Sequence, residues 1–274
     1  MVGTMRYRRA FRLRAVTGMS FVRACCLVLV AAMVAFGATG VLGGWRAGAA
    51  PLGSSGSAET GSGGSSGPNS AFYTPPTGPL PAAGTLLRTQ AMSTFITIPN
   101  RAGGIPASAT RILYVSTNGL GKRVAVSGYY LQPARRWTGP GPRPLVSYGP
   151  GAHGMGDQCA PSRLVASPTL ASPGGPMAEI EALITYNLLA RGYGVVSTDY
   201  IGLGTPGDHT FAMRVDQGDA VIDAARAALQ LPTVDPRTQV ALAGYSQGGA
   251  ATAAAAELID SYAPDLAKQV VGIY

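Results

Sequence analysis

The sequence predicts an α/β protein built on a mostly parallel β-sheet with helices on both faces. Three observations carry this. Short apolar runs alternate with amphipathic segments through the C-terminal half. A pair of β-rich segments precedes them. A serine flanked by glycines stands where one apolar run passes into an alanine-rich helix.

The chain opens on a leader. Arg6, Arg8, Arg9, Arg12, Arg14, Arg23 and Arg46 all precede the first acid, Glu59. Ala24–Gly44 is uncharged and contains Leu27-Val28-Leu29-Val30, and Ala47-Gly48-Ala49 supplies the small residues of a cleavage site. Residues 1–49 therefore form a signal peptide or, if retained, a membrane anchor, because the uncharged run is long enough to cross a bilayer. Both readings place the rest of the chain outside the cytoplasm, secreted or in the cell envelope. The leader also explains the net charge of +8: the remaining 14 basic residues face 13 acids. A nearly neutral body excludes nucleic acid as the expected partner. Cys25 and Cys26 lie in the leader, so Cys159 stands alone in an exported domain, either as a free thiol or without its partner.

From Ala50 to Asn69 the chain is Gly, Ser and Ala with little to bury, and a Pro-rich stretch runs to Pro81. Residues 50–82 form a linker, and the domain occupies residues 83–274. Arg111–Ser116 and Val124–Leu131, separated by the turn residues Thr117–Gly121, predict an antiparallel hairpin. Pro144–Tyr148 is a short strand followed by the Gly-rich stretch Gly149–Gly156. Met177–Arg191 has apolar residues at helical spacing. Gly194–Thr198 is a strand, Val215–Leu231 a helix, Gln239–Ala243 a buried strand, Gln247–Tyr262 a helix and Gln269–Tyr274 a further strand.

The chemistry lies in Gly244-Tyr245-Ser246-Gln247-Gly248. G-x-S-x-G is weak by itself, and Gly63-Gly64-Ser65-Ser66-Gly67 in the linker matches it by chance. Only the copy at Ser246 follows a strand and opens a helix, the context of a nucleophile elbow. There the serine Oγ is lifted clear of the sheet, and the Gln247 N–H points from the helix N-terminus at an oxyanion. The competing reading is a structural strand–helix turn with an idle serine. A second oxyanion donor is expected from His153 and Gly154, in the loop after the Leu145–Ser147 strand. An ordinary Gly-rich turn explains that loop equally well.

A serine hydroxyl needs a base. The two histidines, His153 and His209, both precede Ser246, and the acids after it are Glu257, Asp260 and Asp265. The usual order in α/β-hydrolases is Ser, acid, His, so the acid and base are not identified in these residues. His209 is read as a loop histidine near the site mouth, with a substitute-base role as the alternative. Asp199 is read as a loop-anchoring carboxylate. Neither metal-ligand spacing nor a dinucleotide fingerprint is present, so no cofactor is expected.

These segments together resemble the secretory lipase family of α/β-hydrolases, the lipase-A type. The likeness runs through Phe72-Tyr73-Thr74-Pro75-Pro76, Gly151–Gly154 with Asp157–Ser162, Asp199–Gly204 with Asp208-His209, and Gly244–Gly249. The resemblance implies hydrolysis of carboxylic esters, especially acylglycerols, with Ser246 as nucleophile and Gln247 and the His153–Gly154 region as oxyanion donors. It also implies a disulfide from the Cys159 position, and strands, a cap, an acid and a histidine beyond the elbow. This chain has no histidine or cysteine after Ser246, and only Gln269–Tyr274 as a further strand, which leads us to expect a shortened version of a longer lipase. The alternatives are an inactive exported or membrane-tethered protein, or a peptidase or acyltransferase on the same fold.

Overall fold

The computed structural model describes residues 70–93, 107–166, 169–172, 175–178 and 181–274. The leader, most of the linker and the copy of the motif at Ser65 lie outside the described residues. A seven-stranded sheet runs in the order β1 (Leu86–Met92), β2 (Ala107–Thr117), β3 (Arg123–Pro133), β7 (Gly194–Thr198), β4 (Leu145–Gly149), β8 (Val240–Gly244) and β9 (Val270–Ile273). Strands β1, β2, β3 and β7 pair antiparallel, and β7, β4, β8 and β9 pair parallel. The predicted α/β architecture is thus the one observed.

Side-chain alternation divides the sheet between two cores. On one face Ile112, Tyr114, Val126, Leu145, Val196, Val240 and Leu242 pack beneath the helices α4 (Arg214–Ala228) and α5 (Gln247–Tyr262). On the other face Tyr129, Leu131, Tyr148 and Val195 meet Tyr186 and Leu189 of α3 (Ala182–Ala190). Helices α4 and α5 face each other through alanines, among them Ala220, Ala224, Ala251 and Ala255, all buried. Small side chains let the two helices approach closely, so α5 can begin directly over the end of β4.

Three sequence expectations are corrected. The helix expected over Met177–Arg191 starts only at Ala182, and Gly175–Ala178 is instead strand β6, paired with β5 (Thr169–Ser172). Gly and Pro between residues 173 and 176 are turn formers and oppose a helix there. Strand β1 is an addition to the expected elements. It is a half-exposed sheet edge, where the apolar alternation is weak. Residues 70–82 read as linker in the sequence, yet α1 (Ser70–Tyr73) belongs to the packed fold. Phe72 and Tyr73 are buried against Leu113 and Ala125, and the Tyr73 hydroxyl hydrogen-bonds Ser162 Oγ at 2.9 Å. No helix among the described residues is long and apolar enough to cross a membrane.

Candidate active site

Ser246 occupies the junction of β8 and α5 with φ 53° and ψ −114°. Among the described residues only Tyr200 and Ala212 share a positive φ without being glycine. Such a conformation costs about 1–3 kcal/mol and persists only where surrounding structure imposes it. The imposing contacts are visible. Tyr245 N–H donates to Gly149 O at 3.2 Å, and Gly248 N–H closes the turn on Tyr245 O at 2.8 Å. A Cβ on Gly248 would run into Gly149 O, and one on Gly244 into Gly248 O. The two motif glycines therefore let the elbow press against the end of β4. Ser246 itself is exposed.

Gln247 is the first residue of α5, a position whose N–H has no acceptor inside the helix. Its side chain is buried, and its amide nitrogen lies 3.3 Å from His209 Nε2. His209 Nδ1 lies 3.1 Å from Ile201 O. A carbonyl accepts only from Nδ1–H, so Nε2 carries the lone pair and accepts from the Gln247 amide. Burial pushes the His209 pKa down, partly opposed by the bond to Ile201, and so favours this neutral form. The imidazole thus clasps the residue after Ser246; its lone pair is engaged by Gln247 and not by Ser246.

The Gly-rich loop after β4 is organised by a residue that no motif in the sequence marks. Glu181, just before α3, accepts Gly151 N–H at 2.9 and 3.0 Å and the Tyr148 hydroxyl at 2.8 Å. His153 is buried, with Nδ1 2.9 Å from Gly151 O and Nε2 4.0 Å from Glu181 Oε1. Its ring therefore braces its own loop. Gly154 has φ 122°, and a Cβ there would lie 2.6 Å from Cys159 Sγ, so glycine is required. Tyr200 adds a 2.8 Å hydrogen bond to Pro150 O. In sequence Glu181 reads, like Glu179, as an acid within an otherwise apolar predicted helix, and its hydrogen bonds appear only in the fold.

Asp199 is fully buried and accepts Ser127 Oγ at 2.6 Å, Ser162 Oγ at 2.5 Å and Ser162 N–H at 2.7 Å. It ties β3 and β7 to α2 (Pro161–Leu164), as expected for an anchoring carboxylate. Burial raises its pKa, and the serine hydrogen bonds counter part of that rise. Cys159 is a buried free thiol. Among the described residues no group of three His, Cys, Asp or Glu side chains is placed to hold a metal ion.

The elbow, the β4 loop and the β7 loop thus meet at the C-terminal ends of neighbouring strands, with Ser246, Gln247, Gly149–Gly151 and His209 brought together. The chain is similar to known proteins. A profile of the family described as "Secretory lipase" matches residues 172–274. "Probable inactive lipase MT1628" of Mycobacterium tuberculosis is 35% identical over 205 residues, which is 71% of this chain and 42% of that protein. "Lipase 2" of Candida albicans is 36% identical over 138 residues, 48% of this chain and 28% of that protein. The crystal structure of Candida antarctica lipase A superposes with a TM-score of 0.58 at 28% identity, over 75% of this chain and 46% of the other. The chain spans less than half the length of these relatives. On its sheet, its elbow and these matches, the chain has the α/β-hydrolase fold and is similar to the secretory lipase family, whose profile covers residues 172–274.

Proposed function

We propose that the chain is an exported carboxylic-ester hydrolase of the lipase and esterase kind, with Ser246 as the acyl-accepting nucleophile. The observation that carries this is the elbow. Ser246 is exposed, held at a positive φ by a strand pressed against a helix N-terminus, and stands beside a helix amide that has no intrahelical acceptor. In the proposed reaction Ser246 Oγ attacks the ester carbonyl, and its proton passes to a base. The tetrahedral oxyanion is held by Gln247 N–H and by the backbone of the His153–Gly154 region. The alcohol leaves, and water then releases the carboxylate from the acyl-enzyme. Export rests on the leader and on the family's description as secretory. A lipid ester is the substrate class that the relatives' names favour.

A second reading has its own observation. Both ring nitrogens of His209 are engaged away from Ser246, by Ile201 O and by the Gln247 amide, and His153 Nδ1 is turned to Gly151 O in its own loop. The mycobacterial relative carries the word "inactive" in its name. A nucleophile in position whose neighbouring histidines serve other partners would be acylated slowly or left idle.

Two measurements on the full chain separate these readings: labelling by a fluorophosphonate probe and turnover of short-chain p-nitrophenyl esters, each against Ser246→Ala. Labelling and turnover that both vanish in Ser246→Ala support the hydrolase. Labelling without turnover supports a primed site that lacks a working base. A folded chain that neither labels at Ser246 nor exceeds the Ser246→Ala background sinks the nucleophile assignment.

A further inference from the structure

The end of the sheet opposite Ser246 carries a second surface of distinct chemistry. Strands β4, β7 and β8 are parallel and in register from Leu145, Gly194 and Val240 onward. Their N-terminal ends, about 17 Å from the elbow by strand length, are bordered by the segment joining β3 to β4. Arg143 pins that segment: its guanidinium donates to Gly192 O at 2.5 Å and to Arg135 O at 2.6 Å. The Trp137 ring lies over Gly192 and 5.9 Å from the ring of Tyr193. These contacts gather Arg135, Arg143, Trp137 and Tyr193 at one place, with Arg136 and Arg191 next to them in the chain, and Arg135, Arg136 and Arg191 are exposed. None of these three makes an ion pair with a described acid. The neighbouring Asp235 is taken by Arg237 at 2.9 Å. In a body of 14 basic and 13 acidic residues, this concentration of cationic charge is local.

We infer that this patch is a docking surface for an anionic lipid bilayer. Guanidinium groups match phosphodiester oxygens bidentately. Trp and Tyr, apolar at one end and polar at the other, suit the headgroup level of a bilayer. A duplex would use the arginines but has no use for the two aromatic rings, and the nearly neutral body gives a single strand no extended cationic track. Docked this way, the protein turns the Ser246 end of the sheet away from the membrane on which it rests. The inference does not depend on Ser246 being a nucleophile.

The test uses the full chain carrying Trp45→Phe, so that Trp137 is the sole tryptophan. Vesicles of phosphatidylglycerol and phosphatidylcholine are compared with pure phosphatidylcholine, following co-sedimentation and Trp137 emission. On anionic vesicles the emission should shift to the blue and be quenched by brominated acyl chains, and both effects should weaken as salt rises. Arg135→Gln/Arg136→Gln/Arg191→Gln should bind roughly 100-fold more weakly, the product of about fivefold per lost charge. Arg143 is left intact because it holds the fold. Co-sedimentation with unchanged Trp137 emission would assign binding to the leader and overturn the proposal. Equal emission shifts on neutral vesicles, or binding to heparin without any response to vesicles, would also overturn it. Quenching of Trp137 in the parent protein decides the matter even if the triple variant fails to fold.

Discussion

Glu181 offers the sharpest test of how the loop beside Ser246 is held. Its carboxylate accepts Gly151 N–H at 2.9 and 3.0 Å and the Tyr148 hydroxyl at 2.8 Å, and the residue is 6% exposed. Glu181→Ala removes the carboxylate that accepts from Gly151 N–H and from the Tyr148 hydroxyl. A buried donor that loses an acceptor costs about 1–3 kcal/mol, so the two lost hydrogen bonds cost roughly 2–6 kcal/mol. Removing a buried charge returns part of this, because its desolvation opposed folding. The expected net loss is about 3 kcal/mol. Glu181→Gln keeps a carbonyl oxygen that can accept from both donors, and should lose only about 1 kcal/mol. Urea unfolding measures both, with the m-value checked for constancy. Glu257→Ala is the control: its ion pair to Arg214 is 62% exposed on the acid side, and its loss should cost no more than about 0.5–1 kcal/mol. If Glu181→Ala unfolds within about 0.5 kcal/mol of the parent at unchanged m, the carboxylate is not what holds the loop.

Three further outcomes are expected. Asp219 of α4 is pushed up to about 7 by burial and by neighbouring Asp223 and Asp216, and Asp223 is pushed up to about 6, mainly by burial. The folded state thus holds these protons to higher pH than the unfolded chain. Their stabilising effect is full below the ordinary value of 3.8 and is lost as pH rises towards 7. The unfolding free energy from urea titrations should therefore fall between pH 4 and pH 8, by several kcal/mol, and Asp219→Asn should flatten the slope. Gly248→Ala places a Cβ against Gly149 O and should destabilise by more than about 2 kcal/mol, whereas Gly249→Ala, with its nearest neighbour 3.9 Å away, should gain up to about 1 kcal/mol from helix propensity; thermal melts of the pair decide. Ser246→Gly should abolish fluorophosphonate labelling while raising stability by about 1 kcal/mol, because glycine accepts φ 53° without strain; a lower melting temperature would argue against a strained elbow.

Much of the fold is legible in the sequence because its signals are local. The strands Leu145–Gly149, Gly194–Thr198 and Val240–Gly244 are short buried runs, and the helices between them alternate on the helical period. The elbow is legible for the same reason: strand, serine between glycines, and helix are neighbours in sequence. Other features are not. Strand β1 is an edge in which no residue is fully buried, so no periodicity marks it. The seat of Phe72 and Tyr73 depends on Leu113 and Ala125, some 40–50 residues away. Helix α3 starts late because a turn-forming stretch precedes it, and apolar spacing alone conceals that boundary.

The fold class and the place of Ser246 between a strand and a helix are legible in the sequence, since both follow from residue type and near-neighbour order. Only the tertiary structure decided what the remaining polar residues do. Asp199 became an anchor when Ser127 and Ser162 converged on it. His153 became a brace for its own loop, with Glu181 beside it. His209 became the clasp on Gln247. Arg135 and Arg143 of the far end came to one place with Gly192 through the hydrogen bonds of Arg143. Hydrogen bonding and burial act over ångströms in space between residues distant in the chain. The role of a buried polar group is therefore set by the partners that folding brings to it.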